Sequence, residues 1–293
     1  MKRACVRGLL LALVAALLAS CSAMRFAYNN SQGLIRFEAD QYFDFDSAQE
    51  ADFRDRLARF HGWHRETELP AYAALLQVAA GRLAAGITGQ DVTWAISTLR
   101  ARYRAGAAKA VEDAAPVLAS VRERQIRTLE KKLAESNRKF EKEFLSGEAH
   151  RQHLARTRRM WERFRDWTGE LSDAQEARIE RFVREQARYT ALRFEDRKRV
   201  QRDAVALLKK RLEPADLAAP LAALFIAPEK RRSADYLQAA ARWEAALVVL
   251  IVDLDRMLSP EQRDRVVKRV EAFAEDFRVL AGEHTMTRAA AGN

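Results

Sequence analysis

The 293-residue sequence is poor in cysteine, glycine and proline. Its two cysteines are Cys5 and Cys21. No thiol follows Cys21, which excludes a disulfide framework or a cysteine metal site in the rest of the chain. Eleven glycines and six prolines allow few breaks, so the elements should be few and long. Val, Ile and Thr never gather into alternating runs, so no sheet is expected. There is no Gly-rich phosphate loop, no Gly-x-Ser-x-Gly elbow and no His-Glu-x-x-His. Asp253 and Asp255 stand two residues apart, a spacing that turns them to different faces of a helix rather than making a carboxylate pair. These absences point to a non-enzymatic protein without a cofactor.

What the sequence does have is helix-forming bulk. Hydrophobic residues make up 48% and charged residues 31%. Ala, Leu, Arg and Glu dominate, which predicts an all-α protein with a sizeable core. The formal charge is +10, which suits anionic partners or reflects frequent arginine alone.

The first two dozen residues set the address. Lys2, Arg3 and Arg7 precede an uninterrupted apolar run, Gly8 to Leu18, and then Leu18-Ala19-Ser20-Cys21. A basic start, an apolar run of this length and a small-residue exit describe a secretory signal, 1–20. The run is too short for a permanent membrane span, which needs roughly 17–25 residues. Cys21 after Leu-Ala-Ser resembles the lipobox of bacterial lipoproteins. The resemblance implies cleavage before Cys21, attachment of diacylglycerol to its thiol and acylation of the new amine, a palmitate-type anchor. Ser22 at the next position implies the outer membrane, facing the periplasm. An exported chain meets lipid headgroups, lipopolysaccharide and cell-wall polymers, so nucleic acid is not an expected partner.

Residues 21–32 read as a lipidated tether, 33–146 and 147–282 as two helical regions, and 283–293 as a disordered tail. Asp46-Ser47-Ala48-Gln49 has capping-box spacing. Phe53, Leu57, Phe60 and His64 continue from it as one stripe. Pro70 is expected to end that helix and start the next. Ala71 to Ala85 is apolar almost all round and reads as buried. Gly86 stops it and Thr88 caps a helical stretch to about Leu145, kinked near Pro116. Ile126, Leu129, Leu133, Phe140 and Phe144 form a narrow seam among charges, as in a coiled-coil hairpin. Gly147 marks the internal boundary. Further helices are expected over Ala149–Trp167, from Ser172 to about Leu212, over Pro214–Ile226 and Ser233–Leu258, and after Ser259. The architecture is thus an elongated multi-helix bundle with long amphipathic helices.

One opening recurs: Phe45-Asp46-Ser47-Ala48-Gln49, Leu171-Ser172-Asp173-Ala174-Gln175 and Leu258-Ser259-Pro260-Glu261-Gln262. A Ser or Asp cap with Gln three residues on makes a good helix start by itself. Leu-Ser-Pro-Glu-Gln-Arg also resembles the Leu-Thr-x-x-Gln signature of small periplasmic stress chaperones, which implies a helical surface that cradles clients. The most distinctive stretch is His61-Gly62-Trp63-His64-Arg65 followed by Glu68-Leu69-Pro70-x-Tyr72. With the lipobox, Tyr28-Asn29-Asn30 and Tyr42-Phe43-Asp44-Phe45-Asp46, it resembles an uncharacterised family of proteobacterial lipoproteins with a Trp-His-Arg…Glu-Leu-Pro-x-Tyr signature. That resemblance implies a helical envelope protein and supplies no catalytic residue.

Four of the five histidines form two His-x-x-His pairs, His61/His64 and His150/His153. Residues at i and i+3 share a helix face, so two converging pairs would suit zinc or copper. Against this, His64 continues an apolar stripe, and the second pair sits among Arg151, Arg156, Arg158 and Arg159. Trp161, Phe164 and Trp167 have core spacing, although interleaved arginines would also let them stack on a ligand. The expected function is an envelope lipoprotein that binds or scaffolds another envelope component or a misfolded client. The alternatives are a polyanion-binding module on the helices around Arg151–Arg165 and Arg193–Arg211, and a histidine-based metal site or cryptic enzyme.

Overall fold

A computed structural model describes residues 23–291, with side chains as far as Gly282. Cys21 and the leader lie outside the described residues. After a helical lead-in at 23–29 come α1 (Ser31–Phe43), α2 (Ser47–Trp63), a π-helical turn (His64–Glu68), α3 (Leu69–Ala85) and α4 (Gly89–Ala119). They are followed by α5 (Glu123–Phe144), α6 (Ala149–Thr168), α7 (Asp173–Glu185), α8 (Ala187–Lys209) and α9 (Pro214–Phe225). A 3-10 turn (Pro228–Arg231), α10 (Ala234–Arg256) and α11 (Pro260–Ala291) complete the bundle. The described residues contain no strand, and the fold is an all-α multi-helix bundle. No described helix is long and apolar enough to cross a membrane.

Several boundaries depart from the sequence reading. The expected tether is helical from residue 23, because it docks: Arg25 Nε reaches the buried carboxylate of Asp276 at 2.7 Å. Pro70 does not end a helix. Leu69 N–H reaches back five residues to the His64 carbonyl, and this wider turn carries the helix past a residue that has no N–H to donate. The stretch from Thr88 is broken rather than kinked. Pro116 stays inside α4, which stops at Ala119, and α5 starts anew at Glu123. The helix expected from Ser172 to Leu212 divides at Gln186 (φ −101, ψ 15). That break lets Phe182 and Val183 serve one core while Val205, Leu207 and Leu208 serve another. The last helix continues to Ala291, through most of the expected disordered tail.

Two apolar cores hold the bundle. One joins Val111, Ala115, Val121, Ile126 and Leu129 to Val205, Leu208, Leu217 and Leu221, from both sides of Gly147. The seam of α5 is thus closed by α8 rather than by its neighbour in sequence, and Phe140 stacks on Phe194 with centroids 5.1 Å apart. The second core gathers Ile179, Phe182, Val183, Leu250 and Leu254, with Trp161 and Phe164 packed on its edge. Each fully buried Leu or Ile contributes about 1.5–3 kcal/mol of transfer free energy. The apolar helix α3 lies along α11, although Val78 remains 46% exposed.

The recurrent helix starts meet in pairs. Gln49 Oε1 accepts from Asp46 N, and Gln175 Oε1 from Ser172 N. Gln262 Oε1 accepts from Ser259 N, and a fourth glutamine, Gln125, does the same for Arg122 N. Each amide nitrogen then crosses to another helix start. Gln49 and Gln125 bond each other, and they donate to the Ser120 and Asp44 carbonyls. Gln175 and Gln262 repeat the arrangement with the Met257 and Glu170 carbonyls. Two amide clasps therefore tie α2 to α5 and α7 to α11.

Candidate functional site

The Trp-His-Arg…Glu-Leu-Pro-x-Tyr stretch folds into the π-helical turn and its flanks. An α-helix would space His61, His64 and Glu68 along one stripe. The π turn puts one extra residue into this stretch, and Glu68 lies fully inside, at 1% exposure. π-helical turns are costly and concentrate at functional positions. Neither Glu68 carboxylate oxygen has a hydrogen-bond partner among the described residues. The nearest cation is Arg102, whose Nη1 lies 3.6 Å from Oε1.

Around this pair is an aromatic cluster. The Tyr28 hydroxyl lies 3.0 Å from His64 Nδ1, and His61 Nε2 lies 3.3 Å from the Tyr28 carbonyl oxygen. Arg65 covers the Tyr28 ring, its Cζ 5.1 Å from the centroid. It also donates to Asn29 Oδ1 and, at 3.4 Å, to the Leu280 carbonyl. Tyr72 bridges the His64 and Phe277 rings at 5.9 Å each. Burial pushes the Tyr28 hydroxyl up to about 12, against the opposing pull of Arg65. Burial, then the neighbouring His61, holds His64 below its ordinary value. Burial and the Glu68 charge raise Tyr72. The site thus keeps a neutral imidazole and two neutral phenols beside a buried carboxylate and its part-exposed arginine.

A groove of about 490 Å³ opens from this cluster. Helices α2 and α4 run antiparallel: Gln49 meets Ser120 at one end and Glu68 meets Arg102 at the other. The groove floor is the small-residue face of α4, from Gly106 and Ala107 through Ala110 to Ala114. From Arg102 to Leu118 it is roughly 24 Å long at ~1.5 Å per residue. Among the described residues Arg102 is its one charged lining residue, and Tyr103 stands 58% exposed at the lip.

The histidine pairs do not form one centre. His61 and His64 face Tyr28, whereas His153 Nε2 lies 3.2 Å from Glu180 on α7, and His150 is exposed. Among the described residues no group of three or more His, Cys, Asp or Glu is placed to hold a metal ion. Asp255 is buried at a helix junction, where it accepts from Ile87 N and Arg263. Asp253 pairs with Arg178 at 2.8 Å. Many of the arginines singled out in the sequence are ion-paired, such as Arg165 with Glu176 and Arg199 with Asp196 and Asp203. The sequence reading missed Glu68, Arg102 and Tyr28 as one cluster. The Glu-Leu-Pro motif carried a signal for Glu68, but nothing local marks Arg102 as its partner.

These features define the class: an all-α bundle whose distinctive site is a buried glutamate at the end of a π-helical turn, faced by a part-exposed arginine, at the head of an apolar groove. The chain belongs to a family of unknown function, DUF6279, which matches residues 41–237. That span contains the π turn, the groove and three of the four clasp glutamines. No curated protein and no solved structure matches the chain.

Proposed function

We propose that this chain is a lipoprotein of the bacterial cell envelope, lipidated at Cys21 and held at the outer membrane facing the periplasm. Its helical body acts there as a non-enzymatic binding, scaffold or chaperone-like protein. The resemblance to proteobacterial lipoproteins belongs to this reading. The observation that carries it is the N-terminal arrangement. A basic, apolar, small-residue leader ends at Cys21, and from residue 23 the chain is already helical and docked on the body. Phe26, Leu34 and Phe37 stay 69%, 64% and 60% exposed, apolar side chains soon after Cys21 in the sequence that suit a lipid surface. The apolar groove is the surface offered to an envelope protein or an unfolded client.

Expression with the native leader and labelled palmitate tests the anchor. The wild type should carry label and sediment with membranes, and Cys21→Ser should lose both. An unlabelled wild type would sink the anchor. Suppression of client aggregation, weakened by Tyr103→Glu in the groove, tests the binding role.

A second reading, a module that binds anionic headgroups, lipopolysaccharide or cell wall, is favoured by one observation. Arg156, Arg159, Arg163 and Arg193 line one cleft.

A further inference from the structure

That cleft lies apart from the groove and the π turn. It opens between α6, α7 and α8, with a volume of about 250 Å³. Of its four arginines only Arg159 is ion-paired among the described residues, to Glu143 at 3.1 Å. The guanidinium of Arg159 sits 4.2 Å over the Phe144 ring. Arg156 has a buried Nε with no hydrogen-bond partner among the described residues, and its Nη1 makes a long bond of 3.4 Å to Gln152. Among the described residues no carboxylate lines the cleft.

Arg156 and Arg159 are half-buried, and Arg163 and Arg193 are exposed; like charges gathered at one cleft repel one another, most of all the two with the least water to screen them. An anion relieves that repulsion. Guanidinium forks match a phosphate in particular, because two parallel N–H donors meet two oxygens. The remaining wall is apolar. Phe144 and Met160 line it, and Trp243 lines it while stacking on Tyr189 with centroids 5.2 Å apart. A free inorganic ion would use the arginines and leave this wall bare. An anion with an apolar part attached would cover both.

We propose that this cleft binds an anionic amphiphile with a terminal phosphate and no cationic headgroup, its phosphate among the four arginines and its apolar part against Phe144 and Trp243. The inference rests on the second reading, deepens it by naming the ligand chemistry, and does not depend on Cys21.

Calorimetric titration of the full chain in nonionic detergent with dihexanoyl phosphatidic acid tests it. Saturable binding is expected, at least about tenfold weaker in the Arg156→Gln/Arg193→Gln double variant and falling with added salt. Dihexanoyl phosphatidylcholine should not saturate the site. Inorganic phosphate should bind at least about tenfold more weakly than phosphatidic acid, because it buries no apolar surface. Should the double variant lose its helical circular dichroism, Arg163→Gln, on an exposed side chain, gives the same comparison. Equal binding by wild type and arginine variants overturns the proposal, as does phosphatidylcholine binding as tightly as phosphatidic acid. Inorganic phosphate binding as tightly as phosphatidic acid overturns the amphiphile. Retention on cell-wall sacculi without phosphatidic acid binding would overturn the cleft while leaving the second reading in place.

Discussion

Gln175 and Gln262, 87 positions apart in the chain, hydrogen-bond each other's side-chain amides at 2.9 and 3.2 Å. Each also caps its own helix and donates to the loop before the other's. Gln175→Ala therefore leaves several sheltered groups without partners, and the expected loss is about 1–3 kcal/mol. Gln262→Ala should cost less, since Gln262 is only half-buried. In the double variant the second change should cost little more, so urea denaturation of the four proteins should show a clear coupling energy. Strict additivity would mean that the clasp does not act as a unit.

Glu68 is buried with Arg102 as its counter-charge. Arg102→Ala strands that carboxylate, and a loss of about 1–3 kcal/mol is expected after allowing for the partial exposure of Arg102. Glu68→Gln keeps the shape and removes the charge. In that background Arg102→Ala should cost only a few tenths of a kcal/mol. Thermal melts of the cycle decide this.

The His64 site should make stability depend on pH. Its folded pKa is depressed below the unfolded value, so the unfolded chain takes up the proton first. Stability from this site is full above the unfolded value and falls as pH drops through it toward the folded one. Urea midpoints should decline on acidification through the mid-sixes, and His64→Gln should flatten that decline. Tyr28 acts at the other end. With its folded pKa raised to about 12, its contribution is full below the unfolded value near 10 and is lost between the two. Tyr28→Phe should remove that alkaline loss.

The Arg25–Asp276 ion pair should protect the lead-in segment together with the Tyr28 contacts. Arg25→Ala leaves Asp276 buried without its cation, at an expected cost of about 1–2 kcal/mol given the part-exposed arginine. Amide hydrogen exchange should rise in residues 23–29 and spread little beyond α1.

Much of this fold was legible in local chemistry. Gly86 and Gly169 stop helices at φ 89 and 80, where a side chain would be strained. Asp46, Thr88 and Ser172 start them through side-chain caps. What escaped was set by distant partners. Gln186 has no glycine or proline beside it, and its break answers the separate demands of two cores. Gln125 was hidden because Arg122 has no acceptor oxygen to announce a cap. The His64–Glu68 turn depends on Pro70, which reads equally well as a stop. The lead-in reads as a linker until Asp276 supplies the buried carboxylate that Arg25 needs. The histidines showed their own spacing, but where each pair would point was decided by Tyr28 and Glu180, far away in the chain.

The docking of residues 23–29 has a mechanical consequence. With Arg25 riveted to α11 and Tyr28 set against the π turn, the chain carries no slack leash from residue 23 onward. A pull applied upstream would arrive at α11 as torque on the whole bundle. The body would follow such a pull as one piece with its first helical turn, which would fix the bearing of its grooves.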